Sequence, residues 1–259
     1  MTWVNAVLQG VFLGGYYALL AAGLALMFGL MRIINLAHGD IAVLGAYLIM
    51  VVLDHWNVSP FVGLLPVLPV MVAAGYLLQR TVLDRSLRSG MLVPLLTTFG
   101  LSIVIQNVLL KRFSPDVRSL GGQAGSIATA SWQVTSQITI PALGVTVLAV
   151  ARMRRPDCVR ERYTCRPPRI AAVAGLFLAI RSTFDPFAGP TQLIFAFEAV
   201  VIGGLGSLWG TLAGGIVLGV AQTVGAQIDP QYSILAGDLV FLAVLASPRG
   251  GLIRTRWAA

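Results

Sequence analysis

The chain has 259 residues, 57% of them hydrophobic and only 11% charged, with a net charge of +8. A soluble domain is typically about 25% charged, so this chain lacks the polar surface that water demands and reads as several helices in one bundle. The positive charge does not point to nucleic acid, because the basic residues fall in short connectors between apolar runs, the pattern of a positive-inside membrane topology.

A helix crossing a bilayer needs about 20 apolar residues. The first such run, 6–30, has no Lys or Arg before it and is too long for a signal-peptide core, so it is expected to stay as a span. Gly10 and Gly14 lie four apart in it, a spacing that lets helix backbones approach in a membrane. At its end stands Arg32-x-x-Asn35-x-x-His38-Gly39-Asp40. Polar groups at such a place are expensive in lipid and face protein or a water-filled path. Asn35, His38 and Asp40 gather around an expected helix break at Gly39. They read either as part of a solute pathway or as an interfacial turn with Asp40 capping the next helix. One His and one Asp are too few for a metal site.

The next run, 41–53, is short and reads as re-entrant or spanning, followed by a full run at 60–79. Arg80, Arg85 and Arg88 mark a cytoplasmic loop. The run 91–110 carries Gln106 and Asn107, expected to form interhelical hydrogen bonds. Lys111, Arg112 and Arg118 would then face outward, a modest violation, ahead of a Gly, Ser and Thr-rich external loop at 112–135. A shorter run at 136–151 leads to a basic connector, 152–169, whose Cys158 and Cys165 fit neither a Cys-x-x-Cys site nor a disulfide framework.

Beyond it lie short runs at 170–180, 193–205 and 211–228, a good one at 232–247, and a basic tail with Arg249, Arg254 and Arg256. The three basic connectors can all be cytoplasmic if the intervening runs cross, which puts the N-terminus outside if 41–53 spans and inside if it is only re-entrant. Trp3, Trp56, Trp132 and Trp257 sit at run ends, as interfacial anchors do.

Glu198 lies inside the apolar stretch Phe195–Ile202. A mid-span acidic residue costs about 2.5–3.5 kcal/mol on insertion scales. Its presence therefore reads as a broken helix beside a translocation route, or as a structural carboxylate tied to a neighbouring Arg or to backbone amides. Gly203, Gly204 and Gly206 supply flexible backbone, and Gly206, Gly210 and Gly214 repeat at four-residue spacing, as do Gly215 and Gly219. There is no phosphate-binding Gly-x-x-x-x-Gly-Lys-Ser/Thr loop, Lys111 being the only lysine, and no nucleophile–base pair stands out with His38 and His55 the only histidines. No catalytic residue is assigned, an enzyme is rejected, and no cofactor is expected on this chain.

Together these blocks resemble the permease subunits of branched-chain amino acid ABC transporters. The resemblance covers roughly 4–150 and 171–253 and rests on Ile34-Asn35-Leu36-Ala37-His38-Gly39-Asp40, on Glu198 to Gly215, and on Ser247-Pro248-Arg249-Gly250-Gly251-Leu252. The wider family includes sugar permeases; the Asn–Ala-His-Gly-Asp signature leans toward the amino-acid and urea or amide branch.

The resemblance implies an all-α, polytopic transmembrane bundle of about 8 helices with re-entrant or broken segments, in one permease domain over 1–259. It implies a second homologous permease subunit, two cytoplasmic ATPases that use the ATP, and an extracytoplasmic binding protein, in a bacterial inner membrane. Asn35, His38, Asp40 and Glu198 would line the pathway. A zwitterion needs polar partners at the midplane, whereas its aliphatic part accepts apolar walls. An ion-coupled carrier using His38, Asp40 and Glu198 as a proton relay is the competing class.

One segment departs from the pattern. Where the family has an amphipathic helix that docks on the ATPase, residues 152–169 are rich in Arg, Cys and Pro, and the apolar run after them is too short to span. Pro156, Pro167 and Pro168 oppose a long helix. The segment reads as a shifted frame or internal deletion; the alternative is a basic loop that binds anionic lipid headgroups.

Overall fold

The computed structural model describes residues 2–31, 34–56, 60–86, 92–113, 115–117, 184–204 and 207–247. They form α1 (Thr2–Met31), α2 (His38–Trp56), α3 (Pro60–Leu78, prolonged by a π turn at Gln79–Leu83 and a last turn at Asp84–Ser86), α4 (Leu92–Phe113), α5 (Gly189–Gly203), α6 (Leu208–Ile228) and α7 (Tyr232–Ala246). No strand occurs among the described residues, so the all-α expectation holds. The segments 112–135 beyond Val117, 136–151, 152–169 and 170–180 lie outside the described residues.

Among the described residues five helices, within α1, α2, α3 with its π turn, α4 and α6, are long and apolar enough to cross a membrane. Two expectations change. The run 41–53 is the interior of a 19-residue helix, because α2 extends through His38–Asp40 at one end and Asp54–Trp56 at the other. The run 232–247 gives only the 15 residues of α7, which rise about 22 Å, less than the roughly 30 Å hydrocarbon core. Leu65, Leu77, Leu92, Leu96, Leu239 and Leu242 are more than half exposed, as side chains facing lipid are. Trp3 and Trp56 are also exposed, whereas Trp132 and Trp257 lie outside the described residues.

The chain divides into two compact units; among described residues one holds α1 with residues 194–247, the other 34–117 with 184–193. In the first unit glycines decide the packing. A Cβ on Gly10 or Gly14 would overlap the α6 backbone at Val220 or at Gly215 and Ile216, and one on Gly219 would overlap Gly14 and Gly10. Thus α1 crosses α6 antiparallel, small residue on small residue.

The opposite edge of α6 meets α5. A Cβ on Gly203 would strike Gly210 and Thr211, and one on Gly214 would strike Ala199 and Gly203. Since 203 faces 210 while 199 faces 214, α5 and α6 form a tight antiparallel hairpin, not one helix broken in line. Gly204 turns the chain there with φ 94°, a conformation that costs other L-residues about 1–2 kcal/mol. Ser207 caps α6, its Oγ accepting from Gly210 N at 3.0 Å. Gly206 lies outside the described residues. α7 returns antiparallel along α6, with Gly225 against Tyr232 and Ala236.

In the second unit α2 runs antiparallel to α3, where Gly63 admits the Leu53 side chain. It runs parallel to α4, with the Tyr47 and Phe113 rings 4.6 Å apart. Three successive crossings require that pattern. Lys111 and Arg112 close α4, where the helix dipole favours cations.

Candidate functional site

The Asn35–Asp40 elbow belongs to the second unit. The expected break at Gly39 lies upstream: His38, Gly39 and Asp40 form the first turn of α2, with Ile41 N donating to Ala37 O at 2.9 Å. Asn35 folds the approach, its Oδ1 accepting from Ala37 N at 3.0 Å and its carbonyl from His38 N at 3.2 Å. Asp40 is therefore no cap; its side chain leaves the helix to reach α4. Ser102 Oγ donates to Oδ2 at 2.6 Å, Gln106 Nε2 donates to Oδ1 at 2.9 Å, and the same amide reaches Ser102 Oγ at 3.1 Å. Ser102 and Gln106 sit four apart, hence on one face of α4. Asn107, by contrast, donates to Ile103 O of its own helix at 2.8 Å and makes no interhelical bond in that way.

Register along α4 gives the position of the elbow. Leu36 N donates to Thr98 Oγ1 at 3.3 Å, and Asp40 lies level with Ser102. These positions are about 9 and 15 Å along α4 from its start at Leu92. The elbow lies beside the interior of α4, not at its end. Asn35, His38 and Asp40 are 4%, 2% and 1% exposed. The start of α5 joins them: a Cβ on Gly39 would strike the Gly189 carbonyl, and one on Gly189 would strike the Asp40 carboxyl. The Asp40 charge thus rests against a helix N-terminus, which favours an anion.

Glu198 belongs to the other unit, nine residues further along α5. It is 5% exposed, and its Oε2 has no hydrogen-bond partner. Among the described residues its ionisable neighbour is Asp238 of α7, with which it shares a carboxyl–carboxyl hydrogen bond. Nearby in the fold, Tyr17 Oη donates to Gln222 Oε1 at 2.7 Å, and the Tyr17 ring lies 5.1 Å from that of Phe195. Gln222 Nε2 is buried with no partner. Among the described residues no group of three or more His, Cys, Asp and Glu could hold a metal ion.

Sequence reasoning missed Thr98, Ser102, Gln222 and Asp238. The criterion that singles out Glu198, a lone charge in an apolar run, applies equally to Asp238. The spacing of Ser102 and Gln106 was a second unused signal.

The family model for "Branched-chain amino acid transport system / permease component" matches residues 6–155 and 169–246. The chain belongs to this family. The two matched stretches contain the elbow, α5, α6 and α7, and leave 156–168 uncovered. Among individual relatives, the family permease BraD of Pseudomonas aeruginosa, a high-affinity branched-chain amino acid transport system permease protein, is 27% identical over 97% of this chain and 96% of its own. The corresponding LivH protein of Salmonella typhimurium is 28% identical over the same shares. The permease protein LivM of that organism is 25% identical over 93% of this chain and 68% of its own. The BraD and LivH alignments run over 296 positions, although this chain has only 259 residues. Several dozen positions of these relatives therefore have no counterpart here. No solved structure matches the chain.

Proposed function

We propose that this chain is the membrane-spanning permease subunit of an ABC importer that carries branched-chain amino acids across a bacterial inner membrane. The observation that carries the reading is the family match over both stretches, and the carboxylates buried inside apolar helices support it. Asn35, His38, Asp40 and Glu198 would border the route, the first three in the elbow packed against α4 and the start of α5. The chain itself would bind no ATP and catalyse no reaction. Two cytoplasmic ATPases would supply the work, a homologous second permease half of the path, and an extracytoplasmic binding protein the ligand.

Reconstitution with those partners tests it. Leucine uptake should need both ATP and the binding protein. Uptake that persists without the ATPases and collapses with the proton gradient would establish an ion-coupled carrier instead. Uptake of urea, an amide or a sugar in place of leucine would move the substrate to another branch.

A second reading concerns 152–169. The uncovered stretch 156–168 and the long alignments support an internal loss there, by deletion or shifted frame, together with the helix that would dock on the ATPase. ATPase coupling would then be impaired in this chain. The coding DNA tests the loss directly, since another frame should encode an Arg-Ala-rich helix with an acidic residue. Stoichiometric co-purification with the ATPases and ligand-stimulated hydrolysis would refute impaired coupling.

A further inference from the structure

The unit that holds α1, α6, α7 and the 194–203 stretch of α5 carries few ionisable side chains. On these helices they are Glu198 of α5, Asp238 and Tyr232 of α7, and Tyr16 and Tyr17 of α1; α6 has none, and no Lys, Arg or His occurs among the described residues of the unit. The two mid-helix carboxyls nevertheless meet. Glu198 is 5% exposed and shares a hydrogen bond with half-buried Asp238, so the bond joins α5 to α7. The other oxygen, Glu198 Oε2, is buried with no hydrogen-bond partner. The tyrosines are placed elsewhere. Tyr17 Oη donates to Gln222 Oε1 at 2.7 Å, and the Tyr16 ring lies 5.5 Å from that of Tyr17. Tyr232 is about 9 Å from Asp238 along α7 and on another of its faces.

An ionised carboxylate only accepts hydrogen bonds, so a bond between two carboxyl groups requires a proton on one of them. Two like charges sharing a site also oppose double ionisation, and such a pair titrates as one unit. The bond matters because α7 has little else to hold it. Gly237, next to Asp238, is the one buried residue of α7. It lies on α6, where an added Cβ would come within 3.1 Å of Leu218.

We infer that Glu198 and Asp238 hold one proton between them and that this proton works as a pH-operated clasp fastening α7 to α5. With the proton in place, one group is a carboxylic acid that donates and the other a carboxylate that accepts. When it leaves, both groups carry acceptors and like charge, no basic side chain among the described residues of the unit offsets them, and α7 loosens from α5. The proton stays on the pair and is not carried. The clasp depends neither on the substrate nor on the ATPases, so it stands apart from the proposed function.

The full chain in lipid nanodiscs tests it by infrared difference spectroscopy. The unaltered chain should show the carbonyl band of an un-ionised carboxylic acid at neutral pH and lose it as the pH rises. D238N and E198Q each put a permanent amide N–H where the shared proton was, so each should lose that band yet keep α7 fastened. D238L, with neither donor nor acceptor, should loosen α7 at every pH. Unfolding in mixed micelles gives the second readout. The folded chain holds a proton that the unfolded chain releases, so its stability falls as the pH rises. The unfolding constant should climb by up to about tenfold per pH unit relative to D238N and E198Q. An unaltered chain with no acid band at neutral pH overturns the clasp, whether or not any variant folds. A band and a pH slope that are the same in the unaltered chain, D238N and E198Q overturn it as well.

Discussion

Removing the Asp40 carboxylate should weaken the joint between α2, α4 and the start of α5. Asp40 is 1% exposed and accepts from Ser102 at 2.6 Å and Gln106 at 2.9 Å. A buried donor stripped of its acceptor costs about 1–3 kcal/mol. Two such donors would set an upper bound near 6 kcal/mol, but Ser102 and Gln106 already lie 3.1 Å apart and can satisfy each other in part. Polar interactions in membrane interiors also average only about 0.6 kcal/mol, with a maximum of about 1.7. Asp40→Ala should therefore destabilise by about 2–3 kcal/mol, and Asp40→Asn, which keeps one acceptor oxygen, by about 1 kcal/mol. The assay is a double-mutant cycle of Asp40→Ala with Ser102→Ala, read from unfolding of the purified chain in mixed micelles. The short charge-assisted bond predicts a coupling of about 1–2 kcal/mol. Coupling below about 0.3 kcal/mol, within ordinary additivity error, would refute the claim that this carboxylate ties α2 to α4.

Three further outcomes follow from the other unit. Gly219→Leu places a side chain into the α1 backbone at Gly14 and Gly10; separation of α1 from α6 should abolish an engineered disulfide across that crossing, whereas Gly100→Leu, with open space around it, should leave the chain folded. Gly204→Ala should cost about 1–2 kcal/mol in unfolding experiments, because its φ is 94°, while Gly204→Asn should cost less. Tyr17→Phe leaves Gln222 Oε1 without its 2.7 Å donor and should destabilise by about 1–3 kcal/mol; adding Gln222→Leu should recover part of that loss, and a further loss of the same size would show that the pair is not coupled.

Most of the helical architecture can be read along the chain. Insertion in hydrocarbon is charged residue by residue, and a backbone without water must satisfy itself within a helix. Runs 6–30, 60–79 and 91–110 therefore appear as α1, α3 and α4 with ends shifted by a few residues. The same local logic misjudged α2, because Asp40 looks like an interruption until Ser102 and Gln106 are seen to satisfy it. It also misjudged α7, whose apolar run promised a full span and delivered 15 residues.

The glycine spacings likewise announced close packing but not its partners. Gly210 and Gly214 face α5, while Gly215 and Gly219, on the other edge of the same helix, face α1. Composition and hydropathy alone determined a polytopic helical membrane protein with costly polar groups kept inside, because those properties sum over single residues. Which polar groups meet is a different kind of fact. Asp40 finds donors 62 and 66 residues away, Tyr17 finds Gln222 at a separation of 205, and Glu198 meets Asp238 of α7. Only the tertiary structure decides this, because such pairings depend on helix crossings and rotations that no local pattern encodes.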